Sequence, residues 1–416
     1  MKRMDDNSID AIVTDPPYGI SFMNKKWDYN IPSVTIWQEA LRILKPGGHM
    51  LVACGTRTQH RMACNIEDAG FEIRDTIVWC YSTGFPKSLD VSKALDKELG
   101  AERCKIRHNV PSTWNTVCFS GTKNERPWFS EAKEKGYREV DNNIPSSPIA
   151  HTYNGYGTSL KPAIEMFTLA RKPISEKNIA LNVMKWGTGG INVDGCRVGT
   201  ETLTYTKNKE SAQTWKELDG RQHKTVSNDP PVTAIGRFPA NLIHDGSDEV
   251  VALFPETKSG AKKQGTPYNH TNCNTMSNAI GTVKRDYPAD KGSAARFFYC
   301  PKASKSERNQ GLDNFPEFDM PYGSGGGGMP NGNNNPKKTK QQNNHPTVKP
   351  LKLMQYLIKL IAPPTAIILD PFMGSGTTGV ATILEGYSFI GCEIDPHYHN
   401  IAQQRINHAT QQPTLI

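Results

Sequence analysis

The chain has 416 residues, 36% of them hydrophobic, with a mean hydropathy of −0.57; this is room for two or three domains, but the low apolar content implies polar insertions around a smaller core. A net charge of +8 and a pI near 8.9 favour a polyanionic partner, and no apolar run is long enough for a bilayer-spanning helix, which excludes an integral helical membrane protein. The nine cysteines are scattered, without the short spacing of a zinc or redox pair, so no metal site is expected; with no basic-then-apolar leader at Met1, a soluble, cytoplasmic chain with reduced thiols is expected.

The first element is an apolar run from Ile9 to Val13 that reads as a short buried strand. Pro16 and Pro17 end it, because neither can donate a ladder hydrogen bond, so the strand stops on Asp15 and leads into Tyr18. Two readings of Asp15-Pro16-Pro17-Tyr18 stand side by side. In one, Asp15 is a turn residue and Tyr18 is packing. In the other, Asp15 and the Pro16 carbonyl are adjacent acceptors beside a flat aromatic face, a set that suits a planar heterocycle with an exocyclic amino group.

Ser33 to Leu44 reads as an amphipathic helix closed by Lys45-Pro46-Gly47-Gly48. His49 to Cys54 reads as a strand, Thr56 to Ala69 as a weaker helix ending at Gly70, and Phe71 to Tyr81 as a strand. Asp90 to Leu99 is a further helix. Ala101 to Thr158 is polar, with isolated aromatics Trp114, Phe119, Trp128, Phe129 and Tyr137. Ala163 to Ala170 reads as a buried strand, and Ser175 to Trp186 as a helix.

From Thr200 to Arg296 the chain is polar again, with apolar runs at Ala240 to Ile243 and Val250 to Phe254; a long irregular segment of this kind is usually functional or disordered. Arg296 to Cys300 reads as a short aromatic strand. Pro321 to Asn344 is a Gly/Asn-rich linker whose Lys337, Lys338 and Lys340 serve either solubility or phosphate contact. Leu351 to Ile361 is a strongly amphipathic helix. Thr365 to Leu369 then reads as a strand, Asp370 to Gly379 as a glycine loop, Thr378 to Glu385 as a helix and Tyr387 to Cys392 as a strand that ends at Glu393, before a last helix from Pro396.

That final unit fits a nucleoside-binding βαβ crossover, in which glycines admit a ligand close to the backbone and an acidic residue closing the second strand holds ribose hydroxyls. The loop formally matches GxGxxG, so an NAD-linked oxidoreductase is a rival. Only about 40 residues follow the loop, too few for a second mononucleotide half, and a ligand with one adenosine is favoured.

Taken together, Asp15-Pro16-Pro17-Tyr18, a long polar middle, His345 to Pro350 and the Asp370 to Thr378 loop resemble the amino-group DNA methyltransferases of the permuted beta class. The resemblance implies an α/β fold: a Rossmann-like, circularly permuted S-adenosylmethionine-dependent methyltransferase sheet with a long irregular target-recognition insertion. It implies the cofactor S-adenosyl-L-methionine, held by Phe372, Gly374 and Gly376 with Ser375 and Thr377 of the same loop. Asp370 would close the pocket, Glu393 would take the ribose hydroxyls and Asp395 would lie near adenine. Thr347 and Lys349 would line the methionyl end, Lys349 being equally readable as a helix-start residue in solvent.

It further implies that Asp15, Pro16, Pro17 and Tyr18 form the catalytic motif, acting on an amino group of a base flipped out of DNA, with adenine preferred over cytosine. Trp79 and Tyr81 are candidates for the base-pocket wall, each also readable as core. A catalytically inactive DNA-binding relative is the non-enzymatic alternative, and a homodimer or a partner nuclease of a restriction-modification system is compatible with the family. Most relatives carry a strand and a Gly-Asp segment ahead of the catalytic strand, where this sequence has Met1 to Asn7. The chain thus divides into a catalytic half (1–100), a polar insertion (101–160), a core strand and helix (161–199), a target-recognition region (200–295), a core edge (296–320), the linker (321–344) and a cofactor-binding half (345–416).

Overall fold

The structure, a computed structural model, describes residues 1–20, 28–84, 88–109, 134–205, 232–259, 267–269, 280–282, 290–299, 306–313, 315–319, 340–345 and 347–411. Trp114, Phe119, Trp128, Phe129, Lys337 and Lys338 lie outside them, as do large parts of 200–295 and of the linker. The chain forms two compact units, one of residues 1–82, 164–311 and 347–416, the other of residues 83–163 and 312–346.

The first unit is built on a seven-stranded sheet. Its strands in chain order are β1 (Ile9–Thr14), β2 (Leu44–Gly55), β3 (Glu72–Cys80), β4 (Ile164–Arg171), β5 (Leu242–His244), β6 (Ile367–Asp370) and β7 (Ser388–Gly391). In space they run β7-β6-β1-β2-β4-β3-β5, all parallel except β4, which is antiparallel to both neighbours. The helices are α1 (Val34–Ile43), α2 (Gln59–Asp68), α3 (Ile179–Trp186), α4 (Leu351–Ile361), α5 (Thr377–Leu384) and α6 (Pro396–Thr410).

Every residue of β1 is buried because both faces of the strand are covered, including Asp10, whose carboxylate accepts from Lys45 Nζ and the Ile367 N–H. On one face Ala11, Val13, Leu51 and Ala53 meet Leu353, Met354 and Leu357 of α4 and Val380 and Ala381 of α5. On the other, Ile12, Met50 and Val52 meet Trp37, Ala40 and Ile43 of α1 and Met62 and Ile66 of α2. Helix α4 leaves only Lys352, Gln355 and Lys359 outside this core on its stripe of polar positions, spaced three and four apart as a helix half-turned to solvent requires.

Three elements differ from their sequence reading. Lys45-Pro46-Gly47-Gly48 does not close α1 as a free turn: the chain enters β2 directly at Leu44, which pairs with Ile9, and a register shift before the Ala11–His49 pair absorbs the four residues. Gly47 (φ +79°) makes this kink, and the Asn182 amide and the Thr188 hydroxyl both donate to the Pro46 carbonyl at its side. Of the Arg296 to Cys300 reading, Cys300 lies outside the described residues and the rest is not a continuous strand. Ala294–Phe297 is a 3₁₀ turn begun by Ser293, whose hydroxyl accepts from the Ala295 N–H, and among the described residues of this stretch Tyr299 bridges to the sheet, at Ile243. Helix α3 is shorter than read, starting at Asn178, whose side chain caps the Leu181 N–H.

The second unit, taken by itself, contains the helix Val91–Glu98, the hairpin Lys105–Asn109 with Tyr137–Asp141, and the short helix Pro148–Thr152. Its polar hub is buried Asp96, which accepts from Arg103 Nε (2.7 Å), the Ser147 hydroxyl (2.7 Å) and the Ser146 and Ser147 N–H groups (3.0 Å each). Burial works against its charge, but these donors outweigh it and hold the carboxyl well below the ordinary aspartate range. No helix among the described residues is long and apolar enough to cross a membrane.

Candidate active site

The sheet order reverses between β1 and β6: from β1 the chain moves outward to β2, and from β6 it moves the opposite way to β7. In open α/β sheets the crevice at the carboxyl ends of two such strands is where ligands bind. Asp15 follows β1 and Asp370 ends β6, so the two motif regions, more than 350 residues apart in sequence, emerge side by side. They are tied together: the Thr14 hydroxyl donates to Asp370 Oδ1 at 2.6 Å.

Asp370 is fully buried and serves as a knot for the loop that follows it. Besides Thr14 it accepts from the Phe372 N–H (3.0 Å) and from the Thr378 hydroxyl (2.6 Å) at the start of α5. Burial outweighs these three donors and raises its carboxyl to about 6. Gly374 (φ +52°) and Gly376 (φ +81°) take left-handed conformations that let the loop turn back over β6. The Gly374 N–H donates to Glu393 Oε2 at 2.8 Å, and the Asp395 N–H donates to Glu393 Oε1 at 2.9 Å, so the carboxylate beyond β7 is held at the loop by both oxygens. Asp395 itself caps α6, accepting from the His397 N–H. The side chains of Ser375 and Thr377 turn inward to buried Arg405 of α6, which also donates to the Ser375 carbonyl at 2.6 Å. Phe372 packs on Trp37. Two left-handed glycines and a fixed acidic side chain thus come together in one loop, a glycine cradle braced from behind by Arg405.

On the β1 side, Tyr18 is pinned at its backbone. Its N–H donates to Asp28 Oδ1 (2.6 Å), and its carbonyl accepts from the Thr58 hydroxyl (2.6 Å). Its ring lies against Gly55, where a Cβ would stand 3.2 Å from Tyr18 Cδ2. The Tyr18 hydroxyl donates to Asp15 Oδ1 at 2.8 Å. Lys349, just ahead of α4, is buried rather than held in solvent: its Nζ donates to Asp15 Oδ2 at 2.7 Å and to the Tyr18 hydroxyl oxygen at 3.0 Å. Thr347, two residues ahead of it, is half-buried, and Pro16 is buried while Pro17 is half-buried beside Asp15.

Sequence reasoning did not single out Glu165. Because β4 runs against its neighbours, its first residues lie at their carboxyl ends, where Glu165 pairs across to Gly55 on one side and Trp79 on the other. Its Oε2 is 3.1 Å from Lys349 Nζ and 3.2 Å from the Tyr18 hydroxyl. Tyr81 also reaches Glu165, and burial and then this carboxylate push its phenol above the usual value. The Trp79 and Tyr81 rings meet at 4.8 Å, tilted by 35°, and belong to the core, at the edge of this group. The available signal was local: Glu165 is the one charged residue in the otherwise apolar stretch from Ala163 to Ala170.

Electrostatically the group has two carboxylates and one ammonium. Burial opposes the charge on Lys349, but Asp15 and Glu165 outweigh it and hold the ammonium above the usual lysine value. Burial, then the charges of Asp15 and Glu165, push the Tyr18 phenol well up, so it remains a neutral donor. Burial also pushes the neighbouring Cys54 thiol up to about 11, which keeps it unreactive. Among the described residues no group of three or more His, Cys, Asp or Glu side chains is placed to hold a metal ion.

The chain is similar to several known proteins. The chain is 48% identical over 63 residues to the putative methylase YubD of Escherichia coli K12, covering 15% of this chain and 28% of that one. It is 41% identical over 70 residues to the DNA adenine methyltransferase YhdJ of the same organism, covering 17% and 24%. The matched stretch thus spans about a quarter of the length of these curated relatives. Among solved structures, the M1.HpyAVI–SAM complex aligns over 98% of this chain and 91% of its own, at 14% identity and a TM-score of 0.34. A family model described as DNA methylase matches residues 9–404, nearly the whole chain, and the chain belongs to that family.

Proposed function

We propose that this protein transfers a methyl group from S-adenosylmethionine to the exocyclic amino group of adenine in DNA, after the base is extruded from the duplex. The observation that carries the reading is the Thr14–Asp370 hydrogen bond at the strand reversal, which sets the Asp15 acceptor beside the glycine cradle. Adenine is favoured over cytosine by the Asp form of the motif and by the relative named a DNA adenine methyltransferase. Phe372, Gly374, Gly376 and Glu393 would hold the cofactor, which when bound supplies a methyl group on a sulfonium leaving group.

An aromatic amine is a poor nucleophile because its lone pair is delocalised into the ring. Acceptors on its N–H hydrogens favour a pyramidal nitrogen with a localised pair, and they stabilise the positive charge that grows as the new N–C bond forms. Asp15 and the Pro16 carbonyl are such acceptors, and the carboxylate is the group placed to receive the proton the nitrogen must then lose. The Tyr18 ring, backed by Gly55 and fixed by Asp28 and Thr58, offers a face for an extruded base.

The test is transfer of tritium from methyl-labelled S-adenosylmethionine to DNA, followed by digestion and identification of the labelled nucleoside. Transfer to adenine is expected for the wild type and none for Asp15→Ala, with an unchanged melting transition. An Asp15→Ala protein that methylates normally refutes the assignment, and label in cytosine corrects the base.

A further inference from the structure

Both oxygens of Asp15 are engaged, one by the Tyr18 hydroxyl and one by the Lys349 ammonium. An acceptor neutralised in this way polarises an incoming amino group weakly. The same two donors have a second carboxylate within reach: Glu165 Oε2 lies 3.2 Å from the Tyr18 hydroxyl and 3.1 Å from Lys349 Nζ, against 2.8 and 2.7 Å for Asp15. A tyrosine hydroxyl has one hydrogen and serves one carboxylate at a time. The group therefore has two arrangements that differ by a few tenths of an ångström and need no backbone movement.

We propose that Glu165 is a positioning residue that takes over Lys349 and the Tyr18 hydroxyl when a base enters, so that Asp15 meets the target amino group with its charge uncovered. This rests on the methyl-transfer reading. The ammonium never leaves the buried site, where one of its two counter-charges always faces it, so the hand-over avoids stranding a lone ion. In the resting arrangement the pair Asp15–Lys349 is closed, and the group as a whole carries one net negative charge in both arrangements. Tyr81, which also reaches Glu165, offers that carboxylate a further donor.

The charge count gives the test. Glu165→Gln keeps the shape but removes the second anion, so Lys349 stays on Asp15. Lys349→Met leaves two uncompensated carboxylates, and the double variant restores one net negative charge with Asp15 uncovered. Full-length chains are assayed for label transfer to plasmid DNA, together with DNA and cofactor affinity. Glu165→Gln is expected to lose about tenfold or more in kcat with both affinities nearly unchanged, and the double variant is expected to be several-fold faster than either single one. Without any ligand, Lys349→Met should melt below the wild type, because two half-buried carboxylates are left facing each other without their cation, and the double variant, which removes one of those charges, should recover part of the loss. Wild-type turnover by Glu165→Gln, or a double variant no faster than Glu165→Gln, overturns the proposal. Should Glu165→Gln not fold, a double variant no faster than Lys349→Met overturns it equally. A wild type that labels no DNA overturns the methyl-transfer reading instead, and the ligand-free melting temperatures then judge the shared cation alone.

Discussion

Thr14→Val tests the link between the two motif regions, because it keeps the β-branched shape of a strand residue and deletes only the hydroxyl that bonds Asp370. A hydrogen bond to a charged group contributes about 1.5–3 kcal/mol, and Asp370 is buried with two other donors remaining, so a loss of about 2 kcal/mol is expected at pH 8. The pH dependence has a definite sign. The folded-state value of Asp370, about 6, lies above the ordinary 3.8, so the folded state binds the extra proton between these values and stability falls as pH rises through 6. Removing the Thr14 donor penalises the ionised carboxylate more than the neutral acid. The destabilisation should therefore be clearly smaller at pH 5 than at pH 8. Urea unfolding followed by circular dichroism at the two pH values measures both numbers. An unchanged midpoint at pH 8, or an equal loss at both, would refute the idea that this bond holds a charged Asp370 in place.

Arg405→Met keeps the bulk of a buried side chain and removes the donors to Ser375 and Thr377; cofactor affinity by calorimetry should weaken about tenfold, and an unchanged value would show that the loop holds its shape without the arginine. Burial pulls that guanidinium down to about 10, which still leaves it charged at neutral pH, so the weakening should be flat from pH 6 to 8. Gly55→Ala puts a methyl group against the Tyr18 ring and should lower methyl transfer about tenfold through a small displacement, with little change in melting temperature; full activity would mean that the ring has slack. In the second unit, Asp96 has a depressed carboxyl value, so its contribution is present above the ordinary 3.8 and is lost as pH falls below it. Amide exchange across Val91–Glu98 should therefore accelerate below about pH 4 in the wild type, and Asp96→Asn should exchange faster at pH 7 with no further acid step.

Much of the first unit was legible because its periodicities are clean. The run Ile9 to Val13, the stripe of α4 and the Gly70 stop after α2 each follow from local rules of burial, helix phase and backbone freedom. Asp15, Tyr18, Gly374 and Glu393 were legible because they sit at strand ends marked by prolines or glycines. What local rules could not supply was register. Glu165 reads as a blemish in an apolar strand until β4 is known to run backwards, and Arg405 reads as an exposed helix residue until Ser375 is known to need a partner. The inner kink at Gly47 was mistaken for a helix stop for the same reason, since Pro-Gly-Gly signals a bend without saying whether the bend lies outside a sheet or within it. The start of the Arg296 to Cys300 reading failed because aromatic content imitates strand propensity while Ser293 starts a tight turn.

The reversed strand has one more consequence. With Trp79 paired to Glu165 and Cys80 to Ile164, β3 and β4 are the two arms of a single hairpin whose tip has been opened to admit residues 83–163. The pairings of this ladder are made by residues of β3 and β4 themselves, so a chain carrying a short turn, or a foreign module, between Ser82 and Ala163 should keep them. The sheet is thus a frame with one open end, and the order of its strands is written into the strands themselves.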